Sequence, residues 1–174
     1  MKTMKMIYFG ALLLAVGTVN AAPFGGEADV KYAKDLWTSM VNESLAGKGY
    51  IVSRPYTGQH PHGAILDTLD GPINIGGKLH RIIIKRNYGG PGVSISTVAN
   101  DPEKYLKAVT VMLKRPGYDT ETKDWFWAKY KADGSLDTNP AGMKLAGMIA
   151  KGKPKGCIAC HTGAPGGDMV FTSD

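Results

Sequence analysis

Two cysteines and a histidine near the C-terminus carry the clearest chemistry in this sequence. Cys157-Ile158-Ala159-Cys160-His161 is a C-x-x-C-H run, the spacing of a c-type haem attachment site. On a helical turn, positions i, i+3 and i+4 share one face. Both sulfurs then reach the two vinyl groups of one haem, and His161 lies beneath the iron as an axial ligand. Three other uses of these residues exist. Cys157 and Cys160 form a disulfide in some exported proteins. A thioredoxin-like pair opens a helix early in its fold. Structural zinc takes four ligands, and the chain has Cys 2 only. The C-terminal position and the trailing histidine favour covalent haem c, and one motif implies one haem.

The sixth iron position decides what such a haem does. A second strong ligand makes an electron carrier; an open position admits NO or permits catalysis at iron. The remaining histidines are His60, His62 and His80. His62, in Pro61-His62-Gly63, is the distal candidate among them. Met169 lies close in sequence to the proximal side, so packing is its expected role. Lys151, Lys153 and Lys155 precede the motif. They form either a docking surface for an acidic redox partner or a solvated charged approach.

The elements that position these groups are read from periodicity. Val30, Ala33, Leu36, Trp37, Met40, Val41 and Leu45 recur at helical spacing, which predicts a helix over 28–45 with Trp37 and Met40 in the core. The stretch 51–63 is a loop. Strands are predicted over 64–69, 78–88 and 93–98, with Asp70-Gly71-Pro72 as a turn. Along 78–88, Leu79, Arg81, Ile83 and Lys85 share one face; His80, Ile82, Ile84 and Arg86 share the other. Asp101-Pro102-Glu103 opens a helical turn. Strands over 108–114 and 124–130 make an antiparallel hairpin. A last helix is predicted over 141–151, capped by Thr138 or Asn139 with Pro140 at its first position. The fold class expected is α+β, an antiparallel β-sheet with flanking helices and a C-terminal haem c attachment segment.

The chain's 174 residues are 43% hydrophobic and 21% charged, values of an ordinary globular protein rather than a disordered one. Lys2 and Lys5, the apolar run 6–16 and Val19-Asn20-Ala21 read as a secretory signal peptide over 1–21. The run is shorter than the roughly 20 residues a membrane span needs. A single domain over 22–174, periplasmic and with no membrane span after cleavage, is the expectation. The net charge is +6, of which Lys2 and Lys5 carry two. No dense basic run with interleaved aromatics is present, so nucleic acid is not an expected partner.

The ending resembles the cytochrome P-460 family, which includes the cytochromes c′-beta. The resemblance is carried by Gly156-Cys157-Ile158-Ala159-Cys160-His161 followed by Asp168-Met169-Val170-Phe171-Thr172. Weaker support comes from the strand pattern and from the segment DWFWAKY over 124–130. It implies a sheet-dominated α+β fold, a homodimer, and a five-coordinate haem c whose distal pocket faces the sheet. It also implies one of two activities. P-460 enzymes oxidise hydroxylamine and carry a lysine cross-linked to the haem; c′-beta members lack that link and bind NO. Lys85 is the candidate for that lysine, its alternative being an exposed residue of an alternating strand. A six-coordinate electron-transfer cytochrome is the remaining reading. Phe171 and the aromatics of DWFWAKY are expected to wall the haem or fill the core.

Overall fold

A computed structural model describes residues 24–171. The expected signal peptide and Thr172 lie outside the described residues. Helix α1 (Glu27–Asn42) comes first, followed by strands β1 (Tyr56–Thr57), β2 (Ile65–Ile75) and β3 (Lys78–Tyr88). Two short helices, α2 (Ile95–Asn100) and α3 (Pro102–Tyr105), lead into β4 (Leu106–Lys114) and β5 (Trp125–Lys131). The chain ends with β6 (Ala146–Gly147) and the five-residue α4 (Cys157–His161). The strands form one antiparallel sheet in sequence order, β1 to β6. This is the α+β architecture expected, with four helices around a meander.

The period of two along β3 sorts its side chains as predicted. Ile82 and Ile84 enter one core with Ala33, Leu36 and Met40 of α1, together with Val109, Val111, Leu113, Phe126, Ala128 and Tyr130. Ile83 enters a second cluster on the opposite face, with Met112, Trp125, Trp127, Ile149, Ile158 and Met169. Met40 is fully buried and Trp37 packs against the first core, as the helical spacing of α1 required.

Three expectations fail, each for a local reason. Gly71-Pro72 is no turn: β2 runs through it, and the reversal falls at Gly76-Gly77, both at positive φ. Pro72 is tolerated because β1 pairs only with Ile65 and Leu66, so the outer edge at Pro72 needs no donor. The segment 93–98 is not a strand. Ser94 caps α2 by accepting from the Thr97 N–H at 3.1 Å while Thr97 Oγ1 accepts from the Ser94 N–H at 2.8 Å, and this capping box outweighs the β-branched alternation. The helix predicted over 141–151 is replaced by turns and β6. Gly142 and Gly147 sit at φ 78° and 93°, and Lys129 N–H donates to Leu145 O at 2.9 Å across the sheet edge. Asn139 still caps: its Oδ1 accepts from Ala141 and Met143, but it caps a turn. At Gly147 a side chain would collide with the Asp29 carboxylate.

Candidate functional site

The second face of the sheet holds the site. Strand register lines up Thr68 of β2, Lys85 of β3, Thr110 of β4 and Lys129 of β5 as cross-strand neighbours, so their side chains emerge on one side. The next row is Asp70, Ile83, Met112 and Trp127. The C-terminal segment lies over these rows through Ile149, Ile158 and Met169.

Gly156 starts α4 at φ 132°, where a side chain would strike the Ala150 side chain. The helix then carries the free thiols Cys157 and Cys160, the first half-buried and the second exposed. Burial pushes the Cys157 thiol up from its ordinary range, so it stands as a thiol rather than a thiolate. Ile158 anchors the turn in the second cluster. His161 is walled by aromatic rings: Trp127 at 4.8 Å and Phe171 at 5.3 Å between centroids. The DWFWAKY aromatics therefore divide. Trp125 and Trp127 face the site cluster, while Phe126 and Tyr130 fill the opposite core.

His161 Nδ1 lies 2.7 Å from Met169 O. A carbonyl only accepts, so Nδ1 carries the proton and Nε2 keeps its lone pair. Burial, with Lys85 as a further charge, holds this imidazole below its ordinary value despite the Met169 bond; it is neutral at pH 7, the ligating form. Met169 presents that carbonyl from a left-handed backbone, φ 60°, and its buried side chain packs in the second cluster. The preceding residue holds it there. Asp168 takes Lys114 Nζ at 2.7 Å and Arg81 Nη1 at 3.0 Å, and its carbonyl accepts from Trp125 Nε1 at 2.9 Å. The Asp168 clamp and the Met169 carbonyl had no signal in the sequence beyond the Asp-Met-Val-Phe-Thr run.

Of the other three histidines, only His62 is brought to the site, its ring 6.4 Å from that of His161. His60 is exposed. His80 is tied to Lys114 O at 3.0 Å on the parity of Ile82 and Ile84. Asn87, which the sequence did not single out, fixes His62. Its Nδ2 donates to the carbonyls of Lys85 at 2.9 Å and Ala108 at 3.3 Å, which settles which amide atom is oxygen. That Oδ1 accepts from Gly63 N–H at 3.2 Å and lies 3.0 Å from His62 Nδ1. His62 therefore also carries its proton on Nδ1 and leaves Nε2 bare. Burial, then the nearby Lys85 charge, lowers its pKa.

Lys85 is half-buried on this face, not on an exposed one. Burial lowers its pKa, and its charge is felt by both imidazoles. Three carboxylates of the sheet and the C-terminal segment are engaged by other cations. Asp70 is gripped by Arg81, Asp168 by Arg81 and Lys114, and Asp137 by Lys129. Trp127 Nε1 is buried with no partner. Lys151 bridges Asp119 and Glu121, both at 2.8 Å, so it ties the segment before the motif to the β4–β5 connection. Lys153 and Lys155 are exposed.

These groups fit a haem. Two free thiols stand at i and i+3 with an imidazole at i+4, its Nε2 unengaged and its Nδ1–H anchored, the usual arrangement behind a ligating histidine. Aromatic walls flank the imidazole, and the Trp127 N–H awaits an acceptor that nothing in the described chain supplies. Among the described residues no three His, Cys, Asp or Glu side chains gather as a cage for a metal ion.

A family profile described as Cytochrome P460 matches residues 82–172. That span runs from the middle of β3 through the C-x-x-C-H turn and the Asp168 clamp. Neither the curated proteins nor the solved structures give a match.

Proposed function

The chain belongs to the cytochrome P460 family of haem proteins, and from that premise we propose that it is an exported monohaem c protein that binds a small nitrogen ligand, NO or a compound of similar size, on the iron face opposite His161. Cys157 and Cys160 hold the haem through thioethers, and His161 Nε2 is the proximal ligand. When bound there, the haem supplies an iron that takes up small ligands and exchanges single electrons.

The observation that carries this reading is Lys85: an amine on the site face, within electrostatic reach of both imidazoles, with no carboxylate partner in salt-bridge range among the described residues. Burial lowers its pKa, so Nζ gives up its proton more readily than an ordinary lysine. An ammonium or amine there donates a hydrogen bond to the ligand. Trp127, buried, and Phe171, at the surface, flank the His161 ring and fix the proximal side. Hydroxylamine oxidation asks for a group that removes protons from the substrate. Asp70, Asp168 and Asp137 are held in salt bridges, which leaves the bare Nε2 of His62 and the amine of Lys85 as the proton-accepting groups of this face; the optical spectrum of the holoprotein separates ligand binding from that oxidation.

The remaining parts of the reading follow the family and the sequence. The first 21 residues direct export to the periplasm and are removed. No described helix is long and apolar enough to cross a membrane. The protein assembles as a homodimer and exchanges electrons with a periplasmic redox partner.

The test is an optical spectrum of the purified ferrous holoprotein before and after NO or CO. Uptake of either gas by an ordinary haem c supports the proposal. A Soret band strongly shifted to the red indicates a lysine cross-link, and Lys85→Arg then decides whether Lys85 makes it; that result moves the assignment to hydroxylamine oxidation. A spectrum unmoved by both gases overturns the proposal in favour of electron transfer. A fully loaded, covalently bound haem in the Cys157→Ala, Cys160→Ala double variant overturns the attachment.

A further inference from the structure

The fold builds His62 with more care than a surface loop residue needs. Its loop, 58–64, is closed by Gly58 N–H donating to Ala64 O at 2.8 Å and His62 N–H donating to Gln59 O at 2.9 Å. Asn87 reaches up from the sheet and holds both Gly63 N–H and His62 Nδ1–H on one oxygen. Asn87 is itself fixed by two backbone carbonyls and Thr110 Oγ1, and is 6% exposed. The tautomer this enforces is the one His161 has. Each ring is tied down by Nδ1–H on an oxygen that can only accept, and each leaves Nε2 as a lone pair without a partner.

The two rings stand 6.4 Å apart with an angle of 85° between their planes. An imidazole nitrogen binds a first-row metal at about 2 Å, and the separation of the ring centroids is of the size that two imidazoles on opposite sides of one metal ion require. Lys85 is the competing donor on this side, and it differs in kind. No hydrogen bond orients its Nζ, whereas His62 is held by a buried amide.

On the premise of the haem reading above, we propose that His62 is the sixth ligand of the iron, set in place by Asn87, and that an incoming small molecule binds by displacing it. The ligand sits on the loop that joins β1 to β2, and the side-chain tie from the sheet to its ring is the Asn87 amide, so displacement requires that tie to break while the strands stay in place. His62 thus acts as an internal competitor: its fractional occupancy lowers apparent affinity for external ligands by the same fraction. A pocket with this device responds to NO, which binds iron strongly enough to compete, and resists weaker ligands.

The test uses the full-length holoprotein. Electron paramagnetic resonance and optical spectra of the wild type are expected to show low-spin ferric haem with two nitrogen ligands at neutral pH. His62→Ala is expected to convert it to high-spin, with CO association faster by about tenfold or more. Millimolar imidazole is expected to return His62→Gly to low-spin. A wild type that is high-spin in both oxidation states, with a spectrum His62→Ala leaves unchanged, overturns the proposal. So does a low-spin state that survives His62→Ala and is lost in Lys85→Ala. The wild-type spectrum decides even where a variant fails to fold. The two proposals fail separately: a high-spin wild type that takes up NO removes His62 and keeps the ligand-binding reading. A low-spin wild type inert to gas, opened by His62→Ala, removes that reading and keeps His62 as the ligand.

Discussion

The two faces of the sheet treat charge in opposite ways. On the α1 face, Arg86 and Asp67 are fully buried and face each other at 2.7 Å. Arg86 also donates to Leu45 O at 2.7 Å and stacks over the Tyr50 ring at 4.5 Å. Tyr88 Oη donates to the second oxygen of Asp67. Of this group only Arg86 Nε lacks a partner. On the other face, Lys85 has no acid, Trp127 Nε1 has no acceptor, and two imidazoles keep bare Nε2 atoms. Buried polar groups normally find partners within the fold. Where the partners are missing in a cluster, the completing group comes from outside the chain. One residue's step along β3, from Lys85 to Arg86, separates an amine that the described fold leaves without an acid from a guanidinium that it pairs with one.

The largest way to break this contrast is on the α1 face. Arg86→Met strands the buried Asp67 carboxylate and is expected to cost about 3–5 kcal/mol, read from urea unfolding. A loss under about 1 kcal/mol would show that the pair is no structural anchor. The matching change on the site face, Lys85→Met, is expected to leave stability within about 0.5–1 kcal/mol of the wild type, or to raise it, since burial already disfavours the charge. Its effect should appear in the NO dissociation rate instead. A large stability loss with unchanged ligand kinetics would reverse the assignment of the two faces.

A smaller effect is expected from Asp168→Asn. The clamp is part-exposed, so its ion pairs contribute at most about 1 kcal/mol. Loosening it weakens the hydrogen bond from His161 Nδ1–H to Met169 O and makes the imidazole a poorer donor to iron. The haem reduction potential should therefore rise, measured by redox titration, with the unfolding midpoint nearly unmoved. An unchanged potential would mean that Met169 is held by Trp125 alone.

The smallest effect is the pH dependence of that clamp. Burial pushes the Asp168 carboxyl upward, but Lys114 and Arg81 outweigh it and hold its pKa below the ordinary value. A depressed carboxylate contributes stability that is present above its unfolded pKa, about 3.9, and lost as pH falls through the folded one. The protection factors of amides in residues 164–171, each the intrinsic exchange rate divided by the observed one at the same pH, should accordingly stay level from pH 7 to about 4 and fall only below it. A fall already between pH 7 and 5 would assign the clamp to another group.

How much of this was legible in the sequence depends on the range of the interactions. Alternation along 78–88 predicted β3 to the residue and sorted its faces, because a half-buried strand writes its period directly into side-chain type. The hairpin of β4 and β5 followed from its turn. The segment 141–151 misled, since its apolar spacing fits a helix while Gly142 and Gly147 and pairing with the edge of β5 select extended turns. Lys85 was a candidate in an apolar strand, but which way it pointed required the sheet register. Asn87 and the Asp168 clamp were invisible. Asn87 lies 25 residues from His62, and Asp168 lies 54 and 87 residues from Lys114 and Arg81.

By itself, then, the sequence determined what is local: the Cys-x-x-Cys-His turn with its thiols and imidazole, the strands, and the family. The tertiary structure alone decided which groups meet that turn. It brought Lys85 and His62 to it and gave both imidazoles the same free nitrogen. The physical reason is that a motif on one helical turn is specified by backbone periodicity, whereas the orientation of an imidazole is set by hydrogen-bond partners that only strand register and loop closure bring within 3 Å.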